Sequence, residues 1–215
     1  TWYPSSALAR GWSPDGQRVL YATSRETGPV PYNRLWTVSP DGKVYRFTLR
    51  RDVRWHDGKP FTARDVWFTL GRIHDRKTPM GNFREDLINE FHQVDPLSPY
   101  EVRITLARRN SYLLDHLCDV PILPYHRLGR SIPRGHRISF RPVGTGPFKF
   151  AKWTRSKEIR LERNKRYWGG VPEVHEVVFR WIRDPAKALT DLKRGVVDIM
   201  PKVARQHYQD QLTAW

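Results

Sequence analysis

Alternation of apolar and polar residues marks strands at 18–22, 44–49, 100–106, 148–152 and 159–163, because successive side chains of a strand point to opposite faces. The apolar-rich run at 176–181 reads as a buried strand, and 197–200 as one more. A different period appears from Ala63 to His74, where Val66, Leu70 and Ile73 fall on one face of a helix. Thr62-Ala63-Arg64-Asp65 just before it has the form of a capping box. Further helices are expected at 83–91, 111–117, 185–193 and 204–212, the third with Asp184 as N-cap and Gly195 just past its end. Ser-Pro-Asp-Gly occurs twice, at Ser13–Gly16 and Ser39–Gly42, and each copy predicts a tight turn feeding a strand. Residues 95–99 (Asp-Pro-Leu-Ser-Pro) read as a turn, 121–124 as an extended connection and 128–141 as an exposed loop.

Strands alternating with helices beside antiparallel hairpins predict a mixed α/β domain with at least one crossover, and exclude a helical bundle or a sandwich. With 39% hydrophobic and 13% aromatic residues, the 215-residue chain can bury a real core. Its 38 Lys and Arg against 22 Asp and Glu give a formal charge of +16. That excess raises nucleic acid, anionic membrane or acidic ligands as partners. The basic residues are spread singly and in pairs, as at Arg50-Arg51 and Arg108-Arg109, which describes a generally basic surface and not a polybasic arm. One cysteine, Cys118, rules out an internal disulfide, a Cys-based zinc site and a redox pair. No apolar run approaches the length of a membrane span, which is roughly 18 residues, and the first residues lack the apolar core of a secretory signal.

Candidate chemistry is sparse. His56-Asp57-Gly58 reads as a tight turn between a strand and a capped helix; a metal or acid–base role for His56 and Asp57 has no visible third partner. Gly144-Thr145-Gly146-Pro147 lacks the Lys-Ser or Lys-Thr that would make it a phosphate loop. Its glycines allow a close backbone approach, to a ligand or to a crossing strand. Trp55, Trp67, Trp153, Trp168 and Trp181 could stack on rings, but most sit among apolar neighbours in predicted elements, where core packing is the commoner fate. The eight His are dispersed, and no nucleophile motif or carboxylate pair is found, so an enzyme is not expected.

Several phrases in sequence carry a resemblance: Val38–Lys43, Tyr45–Arg50, Val53–Val66, Pro121–Pro124, Val143–Phe148, Arg163-Asn164 with Tyr167-Trp168, and Leu192–Met200. Together they resemble the bacterial extracellular solute-binding proteins of family 5, which deliver oligopeptides, dipeptides or nickel to ABC importers. The resemblance runs from about Ser39 to Pro201 and is not seen before about Leu35. It implies a periplasmic-binding-protein-like (type II) lobe, incomplete, preceded by a β-hairpin segment. The implied organisation is a hairpin segment at 1–38, a solute-binding lobe at 39–201 and the start of a truncated second lobe at 202–215. Also implied are a peptide or similar small solute as ligand, ABC permease subunits as partners, no cofactor and no metal. The expected location is periplasmic or extracellular, with a membrane anchor in the full-length protein as an option. Candidate ligand contacts are Gly144, Thr145, Gly146, Tyr125 and Trp55. Members of the family are more than twice as long, so much of the ligand cleft is expected to lie outside this chain.

Residues 11–43 also resemble one blade repeat of Tol- or tricorn-type β-propellers, although one repeat cannot close a ring. Two ordinary hairpins explain the segment equally well. That fusion keeps open a sensor or interaction module of a multidomain protein, and the +16 charge keeps open a polyanion-binding protein.

Overall fold

The computed structural model describes residues 7–12, 19–23, 34–74, 90–118, 120–129, 138 and 140–201, with side chains from Thr37 onward. The expected turn at Ser13–Gly16 and the helix at 204–212 lie outside the described residues, as do 83–89 of another expected helix and most of the loop at 128–141. The chain forms two compact units: Thr1–Lys149 with Arg163–Glu173, and Phe150–Glu162 with Val174–Trp215.

The first unit is built on a six-stranded sheet. β1 (Ala7–Trp12), β2 (Val19–Thr23), β3 (Arg34–Val38) and β4 (Val44–Thr48) follow one another as an antiparallel meander. The chain then leaves through α1 (Ala63–His74) and returns as β5 (Phe91–Ser98) and β6 (Glu101–Leu106). β6 inserts between β4 and β5, giving the order β1-β2-β3-β4-β6-β5. Both pairings of β6 are antiparallel, so β4 and β5 run parallel to each other and α1 lies in their connection. This is the crossover that the order of elements predicts.

Alternation decides which face is buried. Val102, Ile104 and Leu106 of β6 are buried, and Glu101, Arg103 and Thr105 between them are half-buried. Tyr45 and Phe47 stand opposite Ile104 and Val102, and α1 brings Ala63, Val66, Leu70 and Ile73 to the same core, with Phe91, Leu113 and Val120. On the outer face Arg103 donates two hydrogen bonds to Asp95, its register partner (3.0 and 2.7 Å).

At the start of α1, Asp65 reaches back to accept the Thr62 N–H at 2.9 Å, which is one half of a capping box. The other half differs: the Thr62 hydroxyl also donates to Asp65, and the Asp65 N–H goes to the Thr62 carbonyl instead. Beyond β6 come α2 (Leu113–Cys118) and the short α3 (Tyr125–Leu128). The Thr69 hydroxyl on α1 accepts the Leu123 N–H at 2.9 Å and so ties the extended 121–124 connection to the helix.

A second sheet has the order β7 (Phe148–Thr154), β8 (Glu158–Arg163), β9 (Glu176–Arg180), and is followed by α4 (Pro185–Lys193). Asp184 caps α4 by accepting the Ala186 N–H at 2.9 Å, and Gly195 beyond its end takes φ +67, as expected for a residue past a helix terminus.

Several local expectations are corrected. Residues 95–98 belong to β5 and do not form a turn; the turn falls at 99–100. Pro96 is tolerated because β5 is an edge strand with a register shift there, so its missing N–H costs the ladder little. Phe91 opens that strand and does not end a helix. β9 is not buried: Phe179 is 58% exposed, and Trp181 just after it is 69% exposed. Residues 197–200 form no strand, because the N–H groups of Val196 and Val197 both turn back to the Asp191 carbonyl. The core reading of the tryptophans holds for Trp55, at 3% exposure, and fails for Trp67, Trp153 and Trp181, which are exposed.

Candidate functional site

All five candidate ligand contacts lie in the first unit, around the turn that joins the strand-like 53–55 segment to α1. The Trp55 N–H bonds to the Lys59 carbonyl and the Gly58 N–H to the Trp55 carbonyl, each at 2.8 Å. Gly58 sits at φ +88, a conformation that side chains with a Cβ rarely adopt. The His56-Asp57-Gly58 turn is therefore a structural turn, as its sequence predicts.

The turn also reaches across the chain. His56 binds the Gly144–Gly146 loop, some 90 residues away, through three hydrogen bonds. Its own N–H donates to the Gly144 carbonyl (2.8 Å), and the Gly144 N–H donates to its ring Nδ1 (3.1 Å). Ring Nε2 lies 3.1 Å from the Gly146 carbonyl, which can only accept, so this nitrogen carries the proton. A Cβ on Gly144 would come within 3.3 Å of His56 Cε1, whereas one on Gly146 would meet nothing within 4 Å. The first glycine is needed for the close approach to the imidazole; the second faces open space.

Other residues also hold the loop's carbonyls, one of them shared with His56. Asn164, buried, donates its side-chain amide to the Gly146 carbonyl (3.2 Å) and its backbone N–H to Pro147 (2.7 Å). The indole N–H of Trp168 donates to the Thr145 carbonyl at 3.1 Å, with the Arg50 guanidinium 5.0 Å over its ring. The Arg163-Asn164 and Tyr167-Trp168 phrases thus act as supports of the loop, a role that spacing alone does not reveal.

Trp55 and Tyr125 converge on one carboxylate. Asp65, 3% exposed, accepts the Tyr125 backbone N–H (2.9 Å) and faces the Trp55 indole N–H at 3.4 Å. Trp55 is thereby a packing residue beneath the turn. The Tyr125 ring lies under the Arg64 guanidinium (4.0 Å), and its hydroxyl accepts from the same group at 2.8 Å. α3 is fixed further by Asp57, which lies 2.8 Å from His126 Nε2 and 3.4 Å from Arg127 Nε.

The electrostatics follow these contacts. Burial lowers the His56 pKa from its ordinary value of 6.5, and the Lys149 charge adds to this; the Gly146 hydrogen bond and Asp57 oppose it without cancelling it. Burial acts to raise Asp57, but the hydrogen bond and charge of His126, with the Lys59 N–H and Arg127, outweigh it and hold the carboxyl below its usual value. Among the described residues no group of three or more His, Cys, Asp or Glu could hold a metal ion. Nor is any helix among them long and apolar enough to cross a membrane.

The fold is that of a mixed α/β lobe of the periplasmic-binding-protein type, similar to solved structures over most of its length. NikZ from Campylobacter jejuni, solved in complex with Ni(L-His), matches with TM-score 0.70 and 30% identity over 86% of this chain and 39% of its own. AgaA of A. tumefaciens R10, solved in complex with agropinic acid, matches with TM-score 0.73 and 30% identity over 95% of this chain and 40% of its own. Residues 8–214 match the family described as bacterial extracellular solute-binding proteins, family 5 Middle. The chain belongs to that family. The match begins at residue 8, so it takes in the residues before Leu35 where no resemblance is visible by motif. A putative ABC transporter peptide-binding protein of Brucella ovis is 35% identical over 184 residues, covering 83% of this chain and 34% of the relative. The chain thus spans about a third of the length of the curated relatives it matches.

Proposed function

We propose that the full-length protein is the solute-capturing component of an ABC import system, with a peptide or similar small solute as its ligand and permease subunits as its partners. It works outside the cytoplasmic membrane, in the periplasm or extracellular space, and is not an enzyme. The observation that carries this reading is the family match over residues 8–214, together with 35% identity to a relative named as an ABC transporter peptide-binding protein.

In this reading residues 39–201 form the body of one lobe, 1–38 are a hairpin segment whose strands β1 to β3 extend its sheet, and 202–215 belong to the start of the second lobe. The Gly144–Gly146 loop and Tyr125 stand toward the ligand, with Trp55 in the same unit. Gly144 and Gly146 carry no side chain that would keep a solute from the backbone, and Gly146 has free space beside it. A ligand held by one lobe keeps much of its surface in water, so the isolated chain binds more weakly than the whole protein.

Uptake of labelled di-, tri- and oligopeptides by cells with and without the gene tests the proposal. Loss of uptake for at least one peptide class, restored by the full-length gene, is the expected result. Unchanged uptake of every peptide class would overturn it.

A further inference from the structure

His56 offers the Gly144–Gly146 loop one acceptor and one donor at the same time. Nδ1 receives the Gly144 N–H and Nε2 gives its proton to the Gly146 carbonyl, both at 3.1 Å. Only a neutral imidazole in the Nε2–H tautomer can do both. An imidazolium would direct a second N–H from Nδ1 at the Gly144 N–H, two donors facing each other with no acceptor between them. The ring is also closely packed against the loop, as the 3.3 Å distance from a Gly144 Cβ position to its Cε1 shows.

We infer that His56 is the positioning residue of the Gly144–Gly146 loop: neutral, its ring latches the Gly144 N–H against the 55–58 turn, and protonated, it releases that N–H. The latch itself needs no ligand; its effect on solute capture rests on the function proposed above. The groups around the ring set the pH at which it acts. Lys149 at the start of β7 disfavours a second positive charge, and Asp57 favours it. Asp57 is itself engaged by His126 and Arg127 of α3, which limits its pull on the ring. Asn164 shares the Gly146 carbonyl but is uncharged, so it holds part of the loop at any pH. The Trp168 bond to Thr145 is likewise insensitive to pH. Release therefore concerns the Gly144 N–H, while the bond from the His56 N–H to the Gly144 carbonyl and the Nε2–H bond to Gly146 persist at either charge.

Two half-replacements separate this role from simple packing. His56→Asn places an oxygen near the Nδ1 position and can accept the Gly144 N–H; His56→Gln places an amide near the Nε2 position and can donate to the Gly146 carbonyl. Neither titrates. The test is nuclear magnetic resonance of 15N-labelled protein from pH 8 to pH 5, reading the ring nitrogen shifts of His56 and the exchange protection of the Gly144 amide, corrected for intrinsic exchange. The expected result is an Nε2–H tautomer at high pH and titration below the ordinary histidine range. Gly144 protection then falls on acidification as the ring takes up its second proton. In His56→Asn the protection persists and loses its pH dependence; in His56→Ala it is lost at every pH. An Nδ1–H tautomer, or Gly144 protection unchanged from pH 8 to pH 5 in the wild type, would overturn the latch.

Peptide affinity of the full-length protein, measured at the two ends of the same range, separates the two ideas. A latch that behaves as described in a protein that binds no peptide leaves the latch standing and removes the proposed ligand. Peptide binding without the tautomer and the protection change does the reverse.

Discussion

Tyr125 donates its backbone N–H to the carboxylate of Asp65 at 2.9 Å, joining residues 60 positions apart across the start of two helices. The same buried carboxylate accepts the Thr62 N–H that opens α1, so one side chain caps one helix and anchors the next.

Replacing it exposes that double role. Asp65→Ala leaves the N–H groups of Thr62 and Tyr125 without their acceptor inside a buried site. A loss of about 2–4 kcal/mol follows from a lost cap plus an unsatisfied buried donor. Urea denaturation of the chain measures it, and a loss below about 0.5 kcal/mol would show that water or other groups replace the carboxylate.

The sheet core responds to volume. Ile104, 2% exposed, stands opposite both Tyr45 and Val94 in the sheet and packs in the cluster with α1. Ile104→Ala is expected to cost about 2–5 kcal/mol in the same denaturation experiment. Its neighbour Arg103 points to the other face, and Arg103→Ala removes only a partly exposed ion pair with Asp95, expected to cost about 1 kcal/mol or less.

The two glycines of the candidate loop should differ. Gly144→Ala forces its new methyl against His56 and requires the ring to shift, an overpacking cost of about 1 kcal/mol. Gly146→Ala meets nothing within 4 Å and should leave stability within about 0.5 kcal/mol. Equal losses from both would contradict the close approach at Gly144.

Stability should rise with pH across the range where His56 titrates. Its folded pKa is depressed below the ordinary 6.5, so the unfolded chain binds the proton more readily. The contribution of the neutral ring is thus present above about pH 6.5 and is lost as pH falls through the depressed folded value. Asp57 and Asp95 are lowered from 3.8, the latter by the Arg103 hydrogen bond, and their contributions disappear only at still lower pH. Urea midpoints measured from pH 8 to pH 3 should therefore show two separate losses, the upper one absent in His56→Asn.

Much of this architecture was legible from local pattern. The apolar spacing of Val66, Leu70 and Ile73 located α1, alternation located β4 and β6, and Asp184 with Gly195 bounded α4. Most of the failures share a cause, partners distant in sequence; residues 197–200 are the exception, turned back locally onto Asp191. Residues 95–98 carry turn residues, yet they pair with β6 because an edge strand can accommodate Pro96. The apolar run of β9 gives no sign of which of its faces is covered, so the expectation of a buried strand fails there. His56 read as part of a turn and is one; its grip on Gly144 and Gly146 depends on a loop some 90 residues away and has no local signature. Asp57 facing His126 and Asn164 supporting Gly146 are hidden for the same reason.

Isothermal titration decides whether the full-length protein encloses a peptide-like solute, as proposed above. The full-length protein and the 215-residue chain are each titrated with the peptides taken up by cells. A Kd of about 1 μM or tighter is expected for the full-length protein, and binding weaker by about tenfold or more for the chain alone. Equal affinity for both, or no heat of binding with the full-length protein, would contradict it.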